Sequence, residues 1–241
     1  MFRCTAAIMT SAHAAPNGSP SELLPPCGRN GGYIVVEGPI GVGKTSLARR
    51  LAEVYGAELK LEDPEENPFL ERFYQSPRQF ALPTQLFFLF QRARMLREFS
   101  QQQLFQSLHV TDFLFEKDPL FARLTLDDDE LRIYDQVYAH VERGHAEPAL
   151  VIYLQAPPDV LLERIRRRGA LFERGIERRY LEELVDAYTR FFYHYSASPL
   201  LVVNAASVNF VERPGDFTTL LEHLHTIKSG RHFFNPLPLG I

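Results

Sequence analysis

The chain has 241 residues, 45% of them hydrophobic and 23% charged, values that indicate a globular domain with a sizeable core. Its formal net charge of -4, without a long basic run, argues against a nucleic-acid polymer as the main partner. No apolar run approaches the ~18 residues that a membrane span needs. The two cysteines, Cys4 and Cys27, indicate neither a disulfide framework nor a metal cluster, so a reducing cytoplasm is the expected location.

The first 32 residues differ from the rest, because proline, glycine and serine interrupt any periodic pattern of apolar residues. This segment lacks the apolar stretch of a secretory signal and carries only two arginines, which leaves a transit peptide as the alternative reading. We predict a disordered extension over 1–32, a single domain over 33–228, and a C-terminal tail over 229–241, where two prolines disfavour regular structure.

A phosphate-binding motif follows the first predicted strand, which spans residues 33–37. The motif fits G-x-x-x-x-G-K-[ST] and consists of Gly38, Pro39, Ile40, Gly41, Val42, Gly43, Lys44 and Thr45, with Ser46 opening the helix that follows. Glycines let successive backbone N–H groups point at a phosphate, and the positive end of the helix adds to the attraction. The motif predicts nucleoside triphosphate binding, with Lys44 on the β- and γ-phosphates and the Thr45 hydroxyl on Mg²⁺.

Predicted strands and helices alternate through the rest of the domain. Further strands are predicted over 57–61, 108–111, 150–154 and 200–203, and helices over 46–53, 77–105, 127–143, 158–168, 177–195 and 214–228. Together with the phosphate loop, the alternation predicts an α/β fold of the P-loop NTPase type, in three layers, with helices wrapped around a five-stranded parallel sheet. The last strand continues into Asn204-Ala205-Ala206 and lacks the N-K-x-D guanine motif, which argues against a GTPase.

Three further motifs keep a fixed order along the chain. Glu37 precedes the phosphate loop, the acidic run Glu62-Asp63-Pro64 ends the second strand, and a series of arginines ends the helix over 158–168. From about residue 33 to about residue 224, this order resembles the deoxynucleoside kinase family, and most closely its bacterial deoxyadenosine/deoxyguanosine kinase branch. The resemblance implies ATP- and Mg²⁺-dependent phosphorylation of a deoxynucleoside 5′-hydroxyl, with purines favoured, by a homodimer.

Two other functions remain as alternatives at this point. A nucleoside monophosphate kinase of the thymidylate kinase type would share the phosphate loop, but the acids of residues 62–66 would repel the phosphate of its acceptor. A non-catalytic P-loop switch protein would bind nucleotide without transferring phosphate to a small acceptor.

The resemblance also implies a general base at the end of the second strand, where the family has an acid before proline. By position Asp63 takes this role, with Glu62 as the close alternative. A 5′-hydroxyl is a poor nucleophile, so a carboxylate has to orient it and accept its proton. The same acids are also typical of a solvated loop, and only the family position favours a catalytic role.

The acceptor site is likewise implied by the resemblance. Its residues are Tyr74, Gln85, Arg92, Asp112, Phe121 and Glu173. Gln85 and Arg92 share one face of the predicted helix, so that the amide can pair with a base edge while Phe121 stacks on the base. Lys117 and Asp118 lie in the stretch where the family discriminates among bases, and we expect them to contribute to that choice.

The third predicted strand departs from the family pattern at one position. Asp112 keeps the acid that would support Mg²⁺ directly or through water, but Phe113 stands where the family has an arginine. We expect Arg92, or an arginine from the later loop, to take the place of that arginine.

The resemblance also implies an arginine-rich lid, which carries the remaining catalytic cations. Arg164 and Arg168 match family positions and would neutralise charge on the transferred phosphoryl group, together with Lys44. Ala170 replaces a family arginine, and Arg166 or Arg167 would compensate, which adds Arg166 to the expected ATP site.

Overall fold

The protein is described here by a computed structural model, which defines Pro25 and residues 32–102, 107–141, 147–170, 173, 175–210 and 213–236, with backbone alone for 99–102. Residues 1–24 and 26–31 of the predicted extension lie outside the described residues, as do 103–105 and 142–143 of two predicted helices and 237–241 of the predicted tail. None of the helices described in these ranges has the length and apolar content needed to cross a membrane.

Six strands in the described part of the chain form one parallel sheet, in the order β2-β3-β1-β4-β5-β6. They are β1 (Gly32–Glu37), β2 (Glu58–Lys60), β3 (Leu108–Thr111), β4 (Leu150–Gln155), β5 (Leu200–Asn204) and β6 (Arg231–Phe234). Because β1 lies between β3 and β4, the strand order reverses at β1, and the loops beyond its carboxyl end open a crevice. The phosphate loop begins at this crevice.

The helices confirm the predicted alternation and add two short ones, α2 and α4. The described helices are α1 (Lys44–Tyr55), α2 (Leu70–Gln75), α3 (Pro77–Gln102), α4 (Asp118–Thr125), α5 (Asp128–Val141), α6 (Pro158–Arg168), α7 (Arg178–His194) and α8 (Pro214–Leu224). Two 3₁₀ turns, Pro64–Glu66 and Phe115–Lys117, follow β2 and β3. Both turns lie on the carboxyl side of the sheet; the first directly follows Glu62 and Asp63, and the second ends at Lys117.

Helices cover both faces of the sheet, and side chains of β1 alternate between the two. Ile34 and Val36 point into a core shared with α1, α6 and α8, whereas Tyr33 and Val35 point into a core shared with α3, α5 and α7. All four are at most 3% exposed, as the period-2 pattern of a strand covered on both sides requires. Burial of this kind contributes ~1.5–3 kcal/mol per large apolar side chain and fixes the position of the loop after β1.

The prediction of five strands and a C-terminal tail from residue 229 is wrong, because Arg231–Phe234 pairs in parallel with β5 as a sixth strand. Phe234 is buried in the core next to α8, while Phe233 on the opposite face is 67% exposed. The guanidinium of Arg231 donates to the carbonyl oxygens of Phe192 (2.8 Å), Tyr193 (3.0 Å) and Tyr195 (3.1 Å) at the end of α7. The last strand is therefore joined to the domain by its pairing with β5 and by the contacts of Arg231 with the end of α7.

Candidate active site

The phosphate loop runs from the end of β1 to the start of α1 in a conformation that only glycine adopts easily. Gly38 has a φ of 149°, and a Cβ there would lie 2.4 Å from the carbonyl oxygen of Leu154. Gly41 has a φ of 82°, and its Cβ would lie 2.8 Å from Ile165 Cγ1. Side chains are excluded at both positions because β4 and α6 lie directly against the loop, and this close packing fixes the course of the loop towards the N-terminus of α1.

Lys44, the first residue of α1, holds the loop together. Its Nζ donates to the carbonyl oxygens of Gly38 (2.8 Å) and Pro39 (3.3 Å). Burial lowers the pKa of Lys44, and repulsion by Lys117 lowers it further, against the attraction of Glu37, Glu62 and Asp112. An ammonium group held by weak neutral acceptors in this way is well placed to move to the phosphates of a bound nucleotide.

A cavity of about 230 Å³ lies beside the loop and is lined by Gly41 to Ser46, by arginines of α6 and by the segment after β5. Arg164 joins two of its walls, because its guanidinium donates to the carbonyl oxygens of Val42 (3.1 Å) and Ala205 (2.8 Å). Arg167 and Arg168 also line the cavity, but Arg166 does not. Residues 164, 167 and 168 share a helix face, and position 166 points away from it, so helical spacing alone would have selected Arg167.

Asp112 connects the ends of β3, β2 and the phosphate loop. Its Oδ2 accepts a hydrogen bond of 2.5 Å from the Thr45 hydroxyl, and its Oδ1 accepts one of 2.9 Å from the Glu62 backbone N–H. Burial raises the pKa of Asp112, and the nearby Glu62 raises it further. A buried carboxylate next to a phosphate-loop hydroxyl offers two hard oxygen ligands, which fits Mg²⁺ bound mainly through phosphates and water.

The two acids at the end of β2 lie in different surroundings. The Glu62 side chain is 13% exposed, forms an ion pair with Arg92 Nε through Oε1, and lies 3.4 Å from Lys117 Nζ through Oε2. Burial alone would raise the pKa of Glu62, but attraction to Arg92 and Lys117 and the hydrogen bond from Arg92 lower it to about 2. The carboxylate is therefore ionised at neutral pH, inside the crevice.

Asp63, the first choice for the base from sequence position, lies outside this cluster. Its side chain is exposed, and Oδ1 accepts a 3.0 Å hydrogen bond from the Glu65 backbone N–H, which caps the 3₁₀ turn Pro64–Glu66. Only the Asp63 backbone reaches inward, where its carbonyl oxygen accepts from Gln91 Nε2 at 3.2 Å. The geometry therefore favours Glu62 for the base, because successive side chains of an extended segment point to opposite sides.

The expected acceptor residues surround the same crevice. Gln85, 4% exposed, donates from Nε2 to Thr125 Oγ1 at 3.1 Å, and that hydroxyl donates to the Phe121 carbonyl oxygen at 2.8 Å. Arg92 forms a second ion pair with Asp118, whose other oxygen accepts from the Tyr134 hydroxyl at 2.7 Å. Gln85, Arg92 and Phe121 are thus brought together with Glu62, and Asp118 serves to hold Arg92.

The residues expected at the sugar lie where α2 meets the segment after α6. A Cβ on Gly175 would be 3.2 Å from the Cβ of Tyr74, so this segment passes directly over Tyr74. Burial raises the pKa of Glu173, although Arg168 opposes the shift through a two-pronged ion pair that includes an Nε–Oε2 contact of 3.0 Å. Tyr74, Glu173 and Arg168 thus form one group at the mouth of the crevice.

Sequence reasoning missed the part that Glu37 and Lys117 play in the site. Glu37 is fully buried and accepts hydrogen bonds from the N–H groups of Gly38 (2.8 Å) and Leu114 (2.7 Å) and from the Tyr188 hydroxyl (2.9 Å). Lys117 Nζ lies 3.2 Å from Glu37 Oε2. A single carboxylate ending an otherwise apolar strand was the available signal for Glu37.

Comparison with known proteins identifies the family. The deoxynucleoside kinase (dNK) profile matches residues 34–228, which is most of the chain. The chain belongs to the deoxynucleoside kinase family. It is a kinase that phosphorylates the 5′-hydroxyl of a deoxynucleoside, and the family match decides against both a monophosphate kinase and a non-catalytic switch protein.

The relatives of this kinase are named mainly for purine deoxynucleosides, and one is named a deoxyadenosine/deoxycytidine kinase. The chain is 34% identical over 197 residues to the deoxyguanosine kinase of Bacillus subtilis (strain 168), an alignment that covers 80% of this chain and 95% of that protein. It is 28% identical over 192 residues to the deoxyadenosine kinase of Lactobacillus acidophilus, with 74% of this chain and 87% of that protein covered. In fold, the kinase is similar to the deoxyadenosine kinase of M. mycoides, with a TM-score of 0.69, 23% identity, and coverage of 81% of this chain and 100% of that one.

Proposed function

We propose that this kinase transfers the γ-phosphoryl group of ATP to the 5′-hydroxyl of a purine deoxynucleoside, with Glu62 as the general base and Thr45 and Asp112 as the protein ligands of Mg²⁺. The observation that carries the proposal is the position of the Glu62 carboxylate. It is buried between Arg92 and Lys117, and its own backbone N–H binds Asp112, which in turn binds the phosphate-loop Thr45. The proposed base and the proposed donor site are therefore two hydrogen bonds apart.

The donor would occupy the cavity beside the phosphate loop. Its phosphates would accept from the loop N–H groups, and Lys44 would leave the carbonyl oxygens of Gly38 and Pro39 for the β- and γ-phosphates. Arg164, Arg167 and Arg168 line the same cavity and would neutralise charge on the transferred group. When bound, Mg²⁺ would supply charge neutralisation between the β- and γ-phosphates.

Glu62 suits the acceptor step because it is ionised and held in place. With a pKa of about 2, the carboxylate accepts a hydrogen bond from the 5′-hydroxyl across the whole physiological pH range. Phosphoryl transfer passes through a loose transition state in which the nucleophile needs orientation more than early loss of its proton. A carboxylate of low basicity therefore serves, since it takes the proton once the new P–O bond has formed.

The groups around Gln85 support the binding of a nucleobase edge, and the relatives support the preference for a purine. The hydrogen bond to Thr125 fixes the plane of the Gln85 amide and leaves its carbonyl oxygen and second N–H hydrogen for a base edge. An amide offers both a donor and an acceptor, so Gln85 can pair with the edge of either base class, and the choice of a purine would come from pocket size and from neighbouring polar groups. The names of the relatives, deoxyguanosine kinase and deoxyadenosine kinase, favour the same class of base.

Two further expectations belong to this proposal. We propose a homodimer that buries the exposed faces of α3 and α5, where Phe90 is 52% and Ile133 51% exposed on two helices that pack against each other. We also propose a cytoplasmic location, because the reaction needs ATP and the sequence carries only two cysteines.

The test is transfer from γ-labelled ATP to deoxyadenosine, deoxyguanosine, deoxycytidine and thymidine, with kcat/KM determined for each. We expect one purine deoxynucleoside to lead by ~10- to 100-fold, because a polar group left unpaired by the wrong base costs ~1–3 kcal/mol. A clear lead for thymidine or deoxycytidine would overturn the purine assignment. Faster transfer to deoxynucleoside monophosphates than to deoxynucleosides would overturn the proposed acceptor.

A further inference from the structure

Lys117 is a buried lysine that touches two carboxylates from different strands. It ends the 3₁₀ turn Phe115–Lys117, its side chain is 2% exposed, and its Nζ lies 3.2 Å from Glu37 Oε2 and 3.4 Å from Glu62 Oε2. Its position in the sequence predicts a place near the nucleobase. The structure instead places its charge between β1 and the end of β2.

One end of this contact is rigid. Glu37 is fully buried and receives the N–H groups of Gly38 and Leu114 and the Tyr188 hydroxyl, so that β1, the phosphate loop, the loop after β3 and α7 all hold it. Lys117 Nζ lies 3.2 Å from the Glu37 Oε2 that accepts the Leu114 N–H, and 3.5 Å from Oε1, so both groups bind one carboxylate and hold the 3₁₀ turn against β1. Lys117 therefore extends from a fixed anchor that is directly bonded to the phosphate loop.

At the other end, the two oxygens of Glu62 are held by different cations. Arg92 Nε binds Oε1 and Lys117 Nζ binds Oε2, from α3 and from the 3₁₀ turn respectively. Two cations, one on each oxygen, define the plane of a carboxylate, whereas Arg92 alone would leave it free to rotate about its bond to Oε1. Phe113, which stands where the family has an arginine, is fully buried in the apolar core and supplies no cation to Glu62.

We propose that Lys117 is a positioning residue, which fixes the Glu62 carboxylate relative to the phosphate loop through Glu37. This inference rests on the proposed role of Glu62 as the general base. It assigns Lys117 to the chemical step, so that its loss lowers kcat while substrate binding is retained. Lys117 Nζ also lies 5.8 Å from the centre of the Phe121 ring, so the alternative is a role in recognising the base. In that case the loss of Lys117 would raise the KM for the deoxynucleoside instead of lowering kcat.

The first experiment compares Lys117→Met, Lys117→Arg and the wild type in steady-state kinetics with ATP and the preferred deoxynucleoside. We expect Lys117→Met to lower kcat by ~10- to 100-fold, the size of effect that a small misplacement of a reacting group produces, with both KM values within about threefold. Lys117→Arg should recover most of kcat, because a guanidinium can bridge the same two carboxylates. The matched control is Lys60→Met, which removes a lysine at the same 3.4 Å from a carboxylate, Glu98, but at a partly exposed pair, and should leave kcat unchanged.

A double-mutant cycle separates positioning from a general effect on the fold. If Lys117 acts through Glu62, Lys117→Met should cost less than about threefold in the Glu62→Gln background, because groups that act as a unit are not additive. An equal loss of kcat in both backgrounds, or an unchanged kcat for Lys117→Met, would overturn the proposal. If both Lys117→Met and Lys117→Gln fail to fold, the role of Lys117 is to neutralise the buried Glu37, and the proposal is likewise overturned.

The same data distinguish this inference from the proposed function. Full activity of Glu62→Gln would remove the proposed base, and the inference with it. A large loss in Glu62→Gln together with normal kinetics for Lys117→Met would retain the proposed function and reject only the positioning role.

Discussion

Single substitutions of the two neighbouring acids, Glu62 and Asp63, give the most direct test of the proposed site. Glu62→Gln removes the buried carboxylate, and Asp63→Asn changes only the exposed one. We expect Glu62→Gln to lower kcat by ~10²- to 10⁴-fold, the usual contribution of a positioned base, which corresponds to ~3–5 kcal/mol in the transition state. Asp63→Asn should stay within about threefold of the wild type, because asparagine caps the 3₁₀ turn as well as aspartate does.

The effect of Glu62→Gln on stability follows from its ion pairs. Attraction to Arg92 and Lys117 outweighs burial and lowers the pKa of Glu62 from 4.5 to about 2, which corresponds to about 3 kcal/mol of folding stability at neutral pH. The substitution should cost somewhat less than this, since Arg92 keeps Asp118 and Lys117 keeps Glu37 as partners. The variant should therefore fold with a Tm lower by several degrees, and Asp63→Asn should unfold at the wild-type temperature.

The assay is single-turnover transfer from γ-labelled ATP with enzyme in excess, alongside thermal unfolding of both variants. Folded Glu62→Gln with a defect of at least 100-fold, beside active Asp63→Asn, would support the proposed base. A loss of activity in Asp63→Asn with Glu62→Gln still active would refute the reasoning, since it would show that burial and ion pairing do not mark the base in this site.

Three other outcomes follow from the structure. Lys44→Ala should fold normally and lose phosphoryl transfer, because its contacts in the loop are to two carbonyl oxygens while its proposed role is on the phosphates; unfolding of the variant would contradict this. The difference in unfolding free energy between wild type and Glu62→Gln should be largest above pH 4.5 and should shrink as the pH falls towards 2, because a carboxylate with a lowered pKa stabilises the fold only while it is ionised. Urea titrations measure this difference, and a constant value across this pH range would refute its origin in the ion pairs. Gly41→Ala should weaken ATP binding and cost ~1–2 kcal/mol of stability, because φ is 82° and the new Cβ would lie 2.8 Å from Ile165. The control is Gly215→Ala, where a Cβ meets nothing within 4 Å and calorimetry should show an unchanged or higher stability.

The fold was largely predictable because its signals are local and repeated. The phosphate loop, the buried strands such as 150–154 and the helices between them carry patterns that tertiary contacts only reinforce. The strand Arg231–Phe234 was missed because four residues, two of them exposed, have no recognisable pattern of their own. It becomes a strand only by pairing with β5, which is a long-range effect.

The site was predictable as a set of residues but less so in its geometry. The sequence predicts acids at the end of β2, but the side chains of Glu62 and Asp63 point to opposite sides of the chain. Which of the two carboxylates faces the crevice is decided by the surrounding helices. Arg167 could have been preferred to Arg166 from helical spacing. The pairing of Lys117 with Glu37 and Glu62 had no sequence signal, because the three residues come from three separate segments that meet only in the folded sheet.

The last strand has a practical consequence for anyone who shortens the chain. A truncation at residue 229 would be an obvious choice if the C-terminal end were taken for a loose tail. It would remove the outermost strand from the sheet. The edge of β5 would then be left open to pair with other molecules, and the loss of Phe234 would uncover apolar core. The end of α7 would also lose the guanidinium of Arg231, which binds three of its carbonyl oxygens. A kinase trimmed in this way should aggregate, and an affinity tag is better joined after residue 241, with the sixth strand left intact.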